Sequence, residues 1–254
     1  MAGILMGLYG GLTYLFFFGT FLYAIAFVDD LPFAPKTLDS GPASPLLPTL
    51  VIDAALLGLF AVQHSVMARP AFKRWWTRFV APPIERSTYV LFASAALVVL
   101  YVFWRPLPHP IWSIAPGPLA TALLGLSLLG WGVVLISTFL ISHFELFGLV
   151  QVYNRMRGAP AAALEFRTPG FYKLVRHPIY LGFIIAFWAT PMMSVGHLFF
   201  AVGTLGYILI AIQLEEHDLI GVFGERYRAY RGQVGMLVPK LGGSAKGQPS
   251  TKST

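Results

Sequence analysis

From Ile4 to Val28 the chain runs 25 residues without one charged side chain. A helix of that length covers about 37 Å at roughly 1.5 Å per residue, more than the ~30 Å hydrocarbon core of a bilayer. A helix apolar on every face has no stable home in water unless a large core surrounds it. Similar runs recur at 49–67, 87–103, 119–141, 178–193 and 197–213. Charged residues make up 11% of the chain and mean hydropathy is +0.68, against about 25% charged residues in an ordinary soluble domain. Soluble globular, disordered and fibrous classes are excluded. In lipid every backbone N–H and C=O must be satisfied internally, which leaves helices or a closed barrel, and runs of this length are helical. The chain is therefore predicted to be all-α: a polytopic integral membrane helical bundle of five to six spans, one domain over 1–239. The runs 178–193 and 197–213 hold 16 and 17 residues, about 24 and 26 Å of helix. They are predicted to form a short helical hairpin whose arms approach through Ala201, Gly203 and Gly206. The first run lacks a basic leader and exceeds the roughly 7–15 residues of a signal-peptide core, so it is read as a span.

Sixteen of the 18 Lys and Arg fall in alternate segments: 69–86, 155–176 and 226–252. The positive-inside rule puts both termini and these segments in the cytoplasm, and an inner membrane is the expected location. The other links, 28–49 and 103–119, are rich in proline, which ends helices. The net charge of +7 then reads as topology, with no nucleic-acid partner expected. There is no cysteine, which excludes disulfides, a Cys-ligated zinc and a Cys nucleophile. Residues 240–254 are Gly, Ser, Thr, Lys, Gln, Pro, Leu and Ala, a composition expected to be disordered. Nothing in the pattern assigns an oligomeric state.

Ionisable residues within apolar runs are functional candidates. Asp53 and His64 are eleven residues apart, on one helix face but about 16 Å apart along the axis, so they are no direct dyad. Asp53 reads either as an interfacial cap or as a carrier group. Gln63 and His64 read either as an interhelical contact or as a site. His143 and Glu145 lie in S-H-F-E-L-F-G (Ser142 to Gly148), two residues apart and on different helix faces. No HExxH pattern occurs, and no metal is expected.

Two further clusters flank the hairpin. R-H-P-I-Y-L-G (Arg176 to Gly182) puts Pro178 in a first helical turn, with Arg176 and His177 at a helix N-terminus that favours anions. Q-L-E-E-H-D-L-I-G-V-F-G-E-R-Y-R-A-Y-R (Gln213 to Arg231) offers Glu215, Glu216 and Asp218, which invite a cationic ligand, and Tyr227 and Tyr230 on one face. The alternative is an amphipathic surface helix with local ion pairs.

Together, R-H-P-x-Y-x-G, a hairpin and L-E-E-x-x-L-x-x-x-F-G-x-x-Y-x-x-Y resemble the signature of the isoprenylcysteine carboxyl methyltransferase superfamily, membrane enzymes that use S-adenosylmethionine. Q-H-S-V-M-A-R-P-x-F-K-R (Gln63 to Arg74), E-R-S-T-Y (Glu85 to Tyr89) and S-H-F-E-L-F-G are similar to its nurim-like branch. The resemblance implies S-adenosylmethionine-dependent methylation of a small thiol, methanethiol to dimethyl sulfide, with S-adenosylhomocysteine as coproduct. It implies cofactor contacts at Arg176, His177, Pro178, Tyr180, Leu181 and Gly182 and, in the segment 214–236, at Glu215, Glu216, Tyr227 and Tyr230. It offers His64, His143 and Glu145 as catalytic candidates, and Gln63 and Arg69 as substrate contacts. A methyltransferase acting on a lipid or prenylcysteine carboxylate, a non-catalytic membrane scaffold, and a proton-coupled carrier using Asp53 and His64 stay open at this point.

Overall fold

The computed structural model describes residues 2–42, 44–160 and 165–240. The predicted tail beyond 240 lies outside them. Five helices are long and apolar enough to cross a membrane: α1 (Ala2–Val28), α2 (Leu46–Ala68), α4 (Pro82–Phe103), α5 (Pro118–Ile141) and α9 (Val195–Phe223). Shorter helices are α3 (Pro70–Trp76), α6 (His143–Leu146), α7 (Leu149–Arg157), α8 (Pro178–Trp188) and α10 (Glu225–Gln233). Proline opens α3, α4, α5 and α8, where its missing N–H costs nothing. The molecule is an all-α polytopic membrane bundle.

The core is aromatic. Phe27, Leu100, Trp104, Trp131, Phe187 and Phe200 bring α1, α4, α5, α8 and α9 together. Helices α5 and α8 touch backbone to backbone: a Cβ on Gly130 would lie 2.6 Å from Ala186 N, and one on Gly182 would lie 2.7 Å from Gly130 O. This departs from the expected close packing of the hairpin arms. Gly203 faces Leu57 of α2, Gly206 faces open space, and Ala201 sits in the common core. The small residues that matter are on α5 and α8.

The hairpin arms are unequal. Helix α8 stops after 11 residues, while the run 197–213 continues as a helix to Phe223. The missing length of the first arm is supplied by extended chain. Strand β2 (Met192–Ser194) pairs antiparallel with β1 (Pro110–Ser113) of the proline-rich link. Val195 N donates to His109 O and Gly196 N to Leu107 O, at 2.9 and 3.0 Å. The hairpin tip thus reaches the far end of the bundle. His197 Nε2 donates to Phe187 O at 2.8 Å, which satisfies one of the carbonyls orphaned where α8 ends.

The proline-rich links are knitted together at that same end. Asp53 is fully buried, and its Oδ1 accepts from Arg105 N at 3.0 Å. Trp104 Nε1 donates to Leu38 O at 3.2 Å and Ser194 Oγ to Asp39 Oδ1 at 2.5 Å. Asp53 therefore anchors a loop, and the carrier reading loses one of its two groups.

Candidate active site at the basic end of the bundle

The chemistry of a site needs elements that hold it, and here a returning segment after α10 does so. After α10 the chain returns to the start of α8: Arg176 N donates to Gly235 O at 2.8 Å and His177 N to Met236 O at 3.2 Å. This clasp brings α8, α9 and α10 to one point. Glu216, 2% exposed, lies at its centre. Its Oε1 accepts from Arg176 Nε at 2.7 Å and His177 Nε2 at 3.1 Å, and its Oε2 forms an ion pair with Arg231, 3.1 Å from Nε. Arg176 Nη1 also donates to Val234 O at 2.5 Å. A buried carboxylate needs such pairing, because an uncompensated charge there would be costly.

Glu216 and Arg176 are thus committed to each other. Glu215 differs: its side chain is 44% exposed, with the His177 ring 3.8 Å away. The Tyr180 hydroxyl faces Glu215. Beside them α10 carries Tyr227 and Tyr230, ring centroids 5.8 Å apart. Phe166 stands edge-on to both, 5.9 and 5.4 Å away, and 5.3 Å from Phe223. Tyr230 donates to Tyr172 O at 2.6 Å, and burial pushes its phenol up to about 12. Tyr227 is buried with its hydroxyl unpartnered, and burial raises its phenol further. An exposed acid, an aromatic set and one unsatisfied buried hydroxyl fit a nucleoside that bears a cation, the chemistry of S-adenosylmethionine. The Cα face of Gly182 is taken by α5, against Gly130 and Val134. Pro178 is buried as the first residue of α8, and Leu181 lies half-buried in its next turn.

A second cluster lies next to the first. His64 on α2 stacks on Phe60 (centroids 5.1 Å) and packs against Tyr89 of α4 (5.2 Å) and the edge of Tyr207 of α9 (6.5 Å). The Tyr89 hydroxyl is 2.9 Å from His64 Nε2. Tyr89, Tyr180 and Tyr207 are all within electrostatic range of Glu215. Arg69 pairs with Asp218 at 2.8 Å, tying α2 to α9. Gln63 Nε2 donates to Met67 Sδ at 3.1 Å, and its Oε1 is buried without a partner.

His143 is placed elsewhere. Thr138 Oγ1 donates to Leu135 O and so accepts from His143 Nδ1 at 2.7 Å, while the Tyr14 hydroxyl donates to Nε2 at 2.9 Å. The ring stacks on Phe139 at 4.0 Å, is 3% exposed, and is held below its ordinary pKa by burial. Both nitrogens have partners, Thr138 and Tyr14, which hold the ring apart from the cluster around His64. Glu145 is half-buried near Arg167 on that same side and does not join the cluster around His64. Sequence reasoning missed Phe60, Tyr89, Tyr207, Phe166 and Arg231. Phe60 sits one turn before His64 and Arg231 one turn after Tyr227, a spacing that could have found both.

A family model described as a protein of unknown function, DUF1295, matches residues 52–233. The chain is 55% identical over 232 residues to the methanethiol S-methyltransferase of Mycobacterium tuberculosis, covering 91% of this chain and 95% of that one. It is 56% identical over 232 residues to methanethiol S-methyltransferase 1 of Bradyrhizobium diazoefficiens, covering 91% and 81%. Nurim of Bos taurus is 30% identical over 182 residues, covering 68% and 69%. No solved structure matches. With the two bacterial enzymes covered over 95% and 81% of their lengths and the side chains of both clusters inside the family match, the chain belongs to the DUF1295 family and, within its nurim-like branch, to the group of the methanethiol S-methyltransferases.

Proposed function

We propose that this protein methylates methanethiol to dimethyl sulfide with S-adenosylmethionine as donor, at the cytoplasmic end of the bundle in a bacterial inner membrane. The observation that supports the reading is that exposed Glu215, with Tyr227 and Tyr230, lies at the same end of the bundle as the rings of Phe60, Tyr89 and Tyr207 around His64. S-adenosylmethionine, when bound, supplies a methyl group on a sulfonium. Glu215 is the carboxylate available for the donor's ammonium or ribose hydroxyls. Arg231, half-exposed, has free N–H groups for its carboxylate, and Tyr227 and Tyr230 flank the base. Glu216 acts through Arg176 and His177 and holds them in place.

A cysteine thiol has a pKa of about 8.5, an alkanethiol with no electron-withdrawing group a higher one, and only the thiolate is a strong nucleophile. His64 accepts the acceptor's S–H proton. With the donor bound, its sulfonium would give up the methyl group to the acceptor sulfur, leaving thioether, S-adenosylhomocysteine and one released proton. Opposite charges are lost in the step, which the low-dielectric surroundings of Phe60, Tyr89 and Tyr207 favour. In-line placement of the two sulfurs supplies much of the rate. Gln63, with its free Oε1, and Arg69 border the acceptor.

The test uses the full chain in nanodiscs with S-adenosylmethionine and methanethiol. Dimethyl sulfide, measured in the headspace, is expected to form one-for-one with S-adenosylhomocysteine. Absence of both products, with S-adenosylmethionine binding undetectable by calorimetry, overturns the reading.

A further inference from the structure

We infer that Tyr207 and Phe60 set the size limit on the methyl acceptor, so that this chain is restricted to the smallest alkyl thiols. The inference rests on the thiol-methylation reading above and adds the part of the site that selects the alkyl group. His64 is enclosed by rings from three different helices. Phe60 stacks beneath it from its own helix, Tyr89 closes one side from α4, and Tyr207 stands edge-on to His64 and, at 6.1 Å, to Phe60. The Tyr207 hydroxyl lies 3.4 Å from Ser65 Oγ, which ties the ring back to α2. Gly203, one turn earlier on α9, meets Leu57 of α2, so the two helices approach closely just beyond the pocket.

A sulfur within reach of His64 and facing the donor near Glu215 points its alkyl group toward the Phe60–Tyr207 pair. A methyl group needs little room there. Each further methylene has to displace a ring held by stacking and by its neighbours, in an interior that is close-packed. One methylene in an apolar pocket is worth roughly a 10- to 200-fold difference in kcat/KM. Tyr89 is a different case, because its hydroxyl touches the His64 ring and its loss would act on the proton step. Phe60 and Tyr207 are therefore the positions where size and chemistry separate.

The experiment compares methanethiol, ethanethiol and 1-propanethiol as acceptors for the full chain in nanodiscs, with thioether measured in the headspace and S-adenosylmethionine affinity measured by calorimetry. The wild-type protein is expected to prefer methanethiol over ethanethiol at least tenfold in kcat/KM. Tyr207→Ala and Phe60→Ala are each expected to raise the ethanethiol-to-methanethiol ratio tenfold or more, with cofactor Kd within about threefold of wild type. Tyr207→Phe, which keeps the ring, is expected to keep the wild-type ratio. Phe60→Leu serves if either alanine variant fails to fold and is expected to move the ratio in the same direction. Equal wild-type use of methanethiol and ethanethiol, or an unmoved ratio in the folded variants, overturns the size limit while leaving thiol methylation standing. Absence of every thioether from the wild-type protein overturns the underlying reading and this inference with it.

Discussion

Glu215 and Glu216 are neighbours in the chain, yet about 100° of helical rotation gives them opposite situations. Glu216 is enclosed by Arg176, His177 and Arg231, while Glu215 is 44% exposed. Their variants should separate stability from binding. Glu216→Gln leaves a buried arginine short of its counter-charge, a loss of about 3 kcal/mol or more, expected as a clear fall in Tm with cofactor affinity lost alongside. Glu215→Gln should leave Tm nearly unchanged and weaken S-adenosylmethionine at least tenfold. Thermal unfolding and calorimetry on the two proteins decide it, and a Tm ranking in the reverse order would overturn the assignment. His143 offers a second check, in pH. Burial lowers its pKa below the free value of about 6.5, so the neutral ring belongs to the folded state. Its contribution is present above that value and is lost as pH falls from there through the lower folded pKa. Between pH 7.5 and 5, wild-type Tm should fall more than that of His143→Gln. The motif residues were legible in the sequence as chemistry. Which glutamate is buried was not, because the answer lies in the segment 234–236, which returns to the start of α8.

Among elements, the α5–α8 contact is the closest. Ala at Gly130 or Gly182 would put a Cβ under 3 Å from backbone atoms of the other helix. Whole helices would have to separate, and overpacking of this kind costs about 1–3 kcal/mol. Gly206→Ala adds a methyl to open space and should be neutral or slightly stabilising, since alanine is the better helix former by about 1 kcal/mol. Unfolding curves of the three variants in one detergent test this contrast. Apolar runs located the helices, but a helix apolar all round has no periodicity to say which face meets a neighbour. For that reason the contact partners of Gly130, Gly182, Gly203 and Gly206 came only from packing. The ending of α8 at Trp188 was likewise hidden, because extended apolar chain and apolar helix read alike.

At the scale of the whole molecule, the bundle has two different ends. One is a hydrogen-bonded plate of proline-rich links joined to the hairpin tip through Pro110↔Ser194 and Ser113↔Met192. The other carries the basic segments and both side-chain clusters. The chain has no native cysteine, which makes the arrangement simple to test. Ser113→Cys should react with a membrane-impermeant maleimide in intact cells, and Arg74→Cys and Arg228→Cys only after permeabilisation. The pair Ser113→Cys and Met192→Cys should cross-link under mild oxidation, since the two positions are directly paired. Labelling in the opposite sense would invert the proposed orientation, and a hairpin that stopped halfway through the bilayer would not cross-link.

By itself the sequence determined that this is a helical membrane protein and where its apolar runs lie, because the cost of exposing backbone or charge to lipid is local and can be summed along the chain. It also carried the family motifs, since these are short and contiguous. The tertiary structure alone decided that the hairpin tip reaches the far end, that Glu216 is a structural hub and Glu215 the available acid, that His143 is fully bonded, and that Phe60, Tyr89 and Tyr207 surround His64. Each of those depends on contacts between segments from 25 to 155 residues apart, and long-range contacts are set by how helix faces pack, which uniformly apolar helices do not encode in their own residues.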